Sequence, residues 1–309
     1  MRHFLIDTDT ASDDAVALLM ALREPSIRVE AITVVAGNCP LDTCVRNALI
    51  TVEQAGTYEP PVYAGRPGPL MRPLFTAEFV HGADGMGEMD LPDPALMVAP
   101  GHAVDAIIET ARRFPGELEV VTLGPLSNLA LALLKEPALA DWIKRVYVMG
   151  GVGLGPGNVT PVAEFNFYVD AEAVHILLNS SVPKSIVGWD VCLIEEAFIT
   201  PTDIQRLNAL GKLGRFAVRC NASLIEYNRT FGKDGFDLPD PTTVAAALYP
   251  EMVMRQLEAY SYVEYQSDRA YGQFVIDHQH LTNQPENTTI IAAIDGNMFK
   301  EKLLELLAE

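Results

Sequence analysis

Four carboxylates fall within eight positions near the start of the chain, in Asp7-Thr8-Asp9-Thr10-Ala11-Ser12-Asp13-Asp14. Like charge crowded this tightly is costly unless a cation or a basic side chain answers it. The nearest basic residues in sequence, Arg2, His3 and Arg23, lie outside the segment. A bound hard cation is the economical answer. Calcium suits it, because it takes about six to eight oxygen ligands and accepts carboxylate, carbonyl and water together. Helix capping is the plainer account, but capping employs one or two aspartates and leaves the others unexplained.

Two loop chemistries can be weighed from the residues. An EF-hand needs Gly at its sixth position and Glu at its twelfth; counted from Asp7 these are Ser12 and Leu18, so that reading fails. The second is phosphoryl transfer. Phe4-Leu5-Ile6-Asp7-Thr8-Asp9 superficially resembles the first motif of haloacid dehalogenases, which would make Asp7 a nucleophile in a magnesium-dependent phosphatase. Against it, the second aspartate pair follows at once instead of far downstream.

Such side chains need elements to hold them. Phe4-Leu5-Ile6 reads as a strand that ends at aspartates, and Asp13-Asp14 open a helical stretch, Ala15 to Leu22, with acid at the positive end of its dipole. Strand and helix then alternate. Residues 29–36, 118–122, 146–149 and 185–187 read as strands, and 41–54, 126–134 and 171–178 as helices. That alternation predicts an α/β fold with a mainly parallel central sheet flanked by helices, read as one domain over residues 1–309. Ligands bind such sheets at the carboxyl ends of the strands, so Asp7, Asp9, Asn38, Leu123-Gly124 and Gly150-Gly151 should share one rim. Residues 63–96 and 150–165, rich in Gly and Pro or in Gly, read as long loops over it. Further on, 202–210 and 213–230 look helical and 232–241 reads as a loop. A helix over 242–249, a strand over 290–294 and a terminal helix over 297–307 complete the expectation.

Composition sets outer limits. The 309 residues carry a net charge of −19, with 49% hydrophobic and 20% charged residues, which suits a folded globular chain and not a disordered one. Strong acidity argues against nucleic acid or anionic membrane as partner, since phosphate-tracking surfaces are built from clustered Lys and Arg. The best apolar run, Ala15 to Leu22, is eight residues long, well short of the roughly 20 needed to span a bilayer. The first residues become acidic too early for a secretory signal. Four cysteines, Cys39, Cys44, Cys192 and Cys220, form no CxxC pair, so neither a disulfide framework nor a zinc site is expected and the reading is a reducing cytoplasm.

The opening segment also resembles that of nucleoside hydrolases, whose motif has the form DTDPGxDDA. Here the Pro-Gly is replaced by Thr10-Ala11, while all four acids are kept and Ala15 follows. The resemblance continues in order through Val35-Ala36-Gly37-Asn38, Leu123-Gly124-Pro125-Leu126-Ser127-Asn128, Val148-Met149-Gly150-Gly151, Asn158, Glu164-Phe165-Asn166 and Asp240-Pro241. It covers at least residues 1 to 250, and the ordered set is far more specific than any one piece.

What the resemblance implies is a Rossmann-like nucleoside hydrolase fold and calcium-dependent cleavage of a purine or pyrimidine ribonucleoside to ribose and free base. It places calcium on Asp9, Asp14, the carbonyl of Leu123 and Asp240, with Asp9 as general base toward a water held at the metal. Asp13 and Asn38 would lie near the 2′ side of the ribose, Asn166 at the 3′-hydroxyl, Asn158 with Glu164 at the 5′-hydroxyl, and Met149 against the sugar. Negative groups under the ring help once an oxocarbenium-like charge develops. Self-association as a homodimer or homotetramer is implied by resemblance alone.

The chain departs from the family at one position of consequence. Where the inosine-uridine-preferring branch has a histidine before the late aspartate, this chain has Pro239. The purine-preferring branch surrounds the base with tryptophans, and Trp142 and Trp189 stand at no matching position. His81, in Phe79-Val80-His81-Gly82-Ala83-Asp84-Gly85, is the candidate to activate the leaving base, with Tyr227 and Asn228 as further contributors. His278 and His280 have no motif support. A third reading is a ribose- or nucleoside-binding protein that keeps the metal and diol contacts without turnover.

Overall fold

In the computed structural model, which describes residues 1–153 and 155–308, the apolar run at Phe4 lies in strand β1 (Arg2–Thr8). The strands after it are β2 (Ile27–Val34), β3 (Val62–Ala64), β4 (Leu118–Thr122), β5 (Ile143–Met149) and β6 (Lys184–Val187). The last third of the chain adds β7 (Val253–Ala259), β8 (Ser261–Glu264), β9 (Gln273–Ile276) and β10 (Thr288–Ile294). Eight strands form one sheet in the order β3-β2-β1-β4-β5-β6-β10-β7, and β8 pairs with β9 apart from it. Neighbours in the large sheet are parallel except β10 with β7. The expected mainly parallel sheet flanked by helices is therefore present.

Strand order fixes where a ligand can go. From β1 the chain builds outward through β2 and β3, then returns to the other side of β1 with β4. The crevice opens at this reversal, beyond the carboxyl ends of β1 and β4. Successive side chains of β1 go to opposite faces: Phe4 and Ile6 join one apolar cluster, Leu5 the other. Burial on both faces is why this strand is an unbroken apolar run.

The helix after β1, Ser12–Arg23, is buried from Ser12 to Leu22. It packs against helices Pro239–Leu248, Leu41–Ala55, Lys212–Cys220 and Gly296–Leu307, so a polar stripe would have no water to face. Its first turn carries Asp13 and Asp14 into the interior, and Oδ2 of Asp14 accepts the amide of Ala11 at 3.0 Å. The opposite sheet face is covered by Ala103–Arg113, Ser127–Lys135 and Ala171–Leu178.

Several boundaries differ from expectation. The helix expected over 213–230 is two, Lys212–Cys220 and Ala222–Arg229, because the buried Asn221 turns its amide onto the carbonyls of Ala217 and Ser12. The late helix begins at Pro239 rather than after Pro241, which brings Asp240 into its first turn. The Gly/Pro-rich stretch over 63–96 contains the end of β3 and the short helix Glu78–His81. All four cysteines are free and buried. Among the described residues no helix is long and apolar enough to cross a membrane.

Candidate active site

Beyond β1 the backbone passes between two glycines, and this passage seats Asp9. A Cβ on Gly37 would stand 2.1 Å from Oδ2 of Asp9, and one on Gly124 would stand 2.4 Å from Oδ1. The amide of Asn38 donates to Oδ2 at 2.7 Å. Oδ1 is buried and accepts no hydrogen bond from any described residue. One oxygen is anchored and the other is free.

Asp14 lies beside it, accepting from the hydroxyl of Thr8 and, at 3.2 Å, from the side-chain amide of Asn38. One carboxylate oxygen each from Asp13, Asp14 and Asp240 lie within 4.8 Å of one another, and all three residues are buried. Asp240 enters this group from the first turn of helix Pro239–Leu248, where its backbone favours the ionised form of Asp13. Asp9 was expected in the ligand set and Asp13 beside the ribose, yet the compact group contains Asp13 and not Asp9. The reason is placement. Asp13 and Asp14 share a helix turn facing Asp240, whereas Asp9 is drawn back by Asn38 and the two glycines.

The electrostatics follow from burial without countercharge. Desolvation pushes the carboxyls of Asp13 and Asp14 up to about 6, with the charge of Asp13 adding to the second. Burial first, then the charge of Asp14, raises Asp9; burial, then Asp13, Asp14 and Asp9, raises Asp240. Among the described residues no Lys or Arg makes an ion pair with any of the four. An all-oxygen, multiply negative cluster with an orphaned buried oxygen fits a hard divalent cation.

One pocket is lined by eleven of the residues anticipated from sequence, Asp13, Asn38, His81, Leu123, Met149, Asn158, Glu164, Asn166, Tyr227, Asn228 and Asp240, while Asp9 and Asp14 are wholly buried and do not line it. The carbonyl of Leu123 accepts from the side chain of Asn166 at 2.7 Å, and the same amide reaches the carbonyl of Met149 at 3.2 Å. Glu164 is buried as the cap of helix Phe165–Val169. It accepts from the amides of Asn166 at 2.9 Å and Gly151 at 2.8 Å, and burial still raises it to about 7. Asn158 is exposed at the rim.

His81 is buried, and Ser12 Oγ lies 2.6 Å from its Nδ1. Burial lowers the imidazole to about 4, against the opposing charge of Asp14, so the ring is neutral near pH 7. Tyr227 stands edge-on to Phe79 with ring centroids 6.0 Å apart. Asp7 is turned away from the acidic group: its Oδ1 accepts from Thr33 at 2.6 Å and Asn128 at 2.9 Å inside the sheet, and its charge is not among those that raise Asp240. A nucleophilic Asp7, and with it the phosphatase reading, is therefore corrected.

Other lining residues escaped the sequence reading. Trp189, set aside there, reaches the pocket because β6 ends beside Gly151, whose carbonyl accepts the Trp189 amide at 2.9 Å. Lys233 and Asp237 also line it, as do Phe79 and Pro239, which the sequence named without giving them a role in the pocket. Asp237 is 7% exposed, and burial raises its carboxyl to about 6 in spite of the charge of Lys233. Only a carboxylate in an otherwise loop-like stretch marked it in the sequence.

Comparison with known proteins gives a consistent picture. The family profile described as inosine-uridine preferring nucleoside hydrolase matches residues 4–301. The chain is 37% identical over 309 residues to the pyrimidine-specific ribonucleoside hydrolase RihA of Salmonella schwarzengrund, covering 98% of this chain and 97% of the relative. A plant nucleoside hydrolase, the PpNRh1 enzyme, superposes with a TM-score of 0.93 at 29% identity, covering 99% of each chain. The purine-preferring ribonucleoside hydrolase from Gardnerella vaginalis superposes with a TM-score of 0.92 at 28% identity, covering 99% of this chain and 98% of its own.

Proposed function

Since the chain belongs to the inosine-uridine preferring nucleoside hydrolase family, we propose that this nucleoside hydrolase works with calcium and that Asp9 is its general base. The single observation that carries the reading is the meeting, at one pocket, of residues expected from the whole length of the chain beside buried carboxylates with no Lys or Arg ion pair among the described residues. Asp14, Asp240 and the Leu123 carbonyl would hold the ion, with Oδ1 of Asp9 or a carboxylate oxygen of Asp13 completing an oxygen donor set. When bound, the cation supplies positive charge that favours a ribose diol and a more acidic water.

The rest falls to this chain's side chains. Water adds its oxygen to C1′, the C1′–N bond breaks, and the bonding electron pair leaves with the base. Asp9 takes the proton of the attacking water at Oδ1, the oxygen that accepts from no described residue, while the Asn38 amide keeps the carboxylate in line. Asp13 accepts from the 2′ side. Asn166, pinned to Leu123 and Met149, presents its amide oxygen to the 3′-hydroxyl, and Asn158 with Glu164 faces the 5′-hydroxyl. Buried carboxylates under the ring favour the positive charge that develops at C1′.

At the base, Pro239 has no proton to donate and His81 lines the same pocket. His81 therefore takes the leaving-group role, with Tyr227 beside it. The substrate is an unphosphorylated ribonucleoside. A cytoplasmic location is supported by four buried free thiols, which suit a reducing compartment. Assembly into a homodimer or homotetramer, and one domain over the whole chain, belong to the same reading.

The test is a reducing-sugar assay over purine and pyrimidine nucleosides with and without chelator. Sugar release that disappears with chelator and returns with calcium is expected. No sugar from any nucleoside in saturating calcium would overturn the reading.

A further inference from the structure

Ser12 is the first residue of its helix and is wholly buried. Its Oγ lies 2.6 Å from Nδ1 of His81, 69 residues away in sequence, and has no other hydrogen-bond partner among the described residues. His81 ends the short helix Glu78–His81 and lines the pocket. Its Nε2 makes no hydrogen bond with a described residue and is not among the buried partnerless atoms, so this nitrogen keeps some exposure on a residue that lines the cavity.

Counting partners assigns the protons. Were the imidazole proton on Nδ1, it would donate to Oγ, and the hydroxyl proton of the wholly buried Ser12 would have no acceptor among the described residues. With the proton on Nε2, the hydroxyl donates to the Nδ1 lone pair and both members of the pair are satisfied. A hydrogen bond at one ring nitrogen thereby decides what the other offers.

We propose that Ser12 is a positioning residue that fixes His81 as the neutral Nε2–H tautomer, so that the ring presents a hydrogen-bond donor to the departing base. The inference rests on the reading of the pocket as a ribonucleoside site with His81 at the base. The acceptor is the oxygen or nitrogen that sits beside the glycosidic nitrogen in pyrimidines and purines alike. No proton leaves His81 or Ser12. As the C1′–N bond breaks, the electron pair arriving on the base is stabilised by the Nε2–H donor, and the base acquires its final proton from the water consumed. The pairing links the acid-rich turn after β1 to the loop carrying His81, so one short hydrogen bond ties the base end of the pocket to its metal end.

The test compares Ser12→Ala, Ser12→Thr, His81→Ala and the double variant Ser12→Ala/His81→Ala in calcium. Substrates are uridine, inosine and a p-nitrophenyl riboside, whose leaving group needs no donor. Ser12→Ala is expected to lower kcat on the nucleosides about tenfold with KM within about twofold, and to lower the nucleoside-to-aryl rate ratio equally. The double variant should be no slower than His81→Ala, and Ser12→Thr, which restores the hydroxyl, should recover the ratio. Nitrogen-15 spectra of labelled histidine, assigned by loss of one signal in His81→Ala, should show a single Nε2–H form that Ser12→Ala mixes with the other tautomer.

An Nδ1–H form in the unaltered enzyme overturns the inference, as does an equal loss on both substrate types or an additive double variant. If His81→Ala slows the nucleosides and Ser12→Ala does not, the inference alone fails. If His81→Ala leaves every nucleoside untouched, the reading of His81 at the base fails with it.

Discussion

Gly124 closes over Asp9 so tightly that a single methyl group there would stand 2.4 Å from Oδ1 and 2.7 Å from Cγ. That contact is shorter than van der Waals packing allows, so Gly124→Ala must push the carboxylate aside. A displacement on the order of 1 Å at a reacting group can cost about a hundredfold in rate. Gly124→Ala is expected to lose about that much kcat while keeping its circular dichroism spectrum. Full activity in the variant would show that the position of Asp9 is immaterial.

Asp240 offers a test in which the sign changes with the ligand. In chelator, burial and mutual repulsion penalise the ionised forms of the four carboxyls, so Asp240→Asn relieves that penalty and should melt no lower than the unaltered protein. In calcium the order reverses. An ion that binds only the folded state stabilises it by about 2.7 kcal/mol at a hundredfold excess over Kd, and the variant forfeits most of that. Thermal melts with and without calcium decide the matter. The same calcium-induced rise in both proteins would remove Asp240 from the ligand set.

The Arg2 guanidinium grips the buried Glu119 through two bonds, Nε to Oε1 at 2.9 Å and a terminal nitrogen to Oε2 at 2.6 Å. Desolvation opposes the charge of Glu119, yet the Arg2 and Lys144 hydrogen bonds and charges hold its carboxyl below the usual range. The folded state therefore binds that proton less readily than the unfolded chain does. The pair's stabilisation is complete above the unfolded value of about 4.3 and is lost as pH falls through the depressed folded value. Arg2 is partly exposed, so Glu119→Gln should cost about 2 kcal/mol at pH 7 and progressively less in acid. Denaturant titrations at several pH values check this; a cost independent of pH would place the effect in packing.

Much of this molecule is legible because its chemistry is local to strand ends. The run Phe4-Leu5-Ile6 had to be a strand buried on both faces, and the acids after it had to lie at its carboxyl end, so the rim of the sheet could be read before its order was known. Strand β4 and helix Ala171–Leu178 have the bounds their patterns predict. Helix Ala103–Arg113 lies outside the expected elements although Val104, Ile107, Ile108 and Ala111 bury one face at helical spacing, a signal the sequence carries. By contrast β7 is an exposed edge strand with no apolar alternation to find, and Trp189 becomes a pocket residue only through the side-by-side placement of β5 and β6. The exchange of Asp13 for Asp9 in the compact acidic group is of the same kind, since two glycines far apart in sequence set it.

Base preference can be tested at Asp237. It is almost wholly buried, it lines the cavity, and it makes no hydrogen bond with a described residue, while its buried carboxyl is held near the charge of Lys233. An ionised carboxylate only accepts hydrogen bonds, so it rewards a base edge that carries N–H groups and penalises one that carries oxygen or a bare nitrogen. Asp237→Asn keeps the shape and adds a donor, and it should compress the spread of kcat/KM across cytidine, uridine, adenosine and inosine. A carboxylate matched to a donor discriminates by about 1–3 kcal/mol, so ratios between bases should move about tenfold while the p-nitrophenyl riboside, with no base edge, moves much less. A uniform change over all substrates would instead place Asp237 among the residues that merely hold the pocket open.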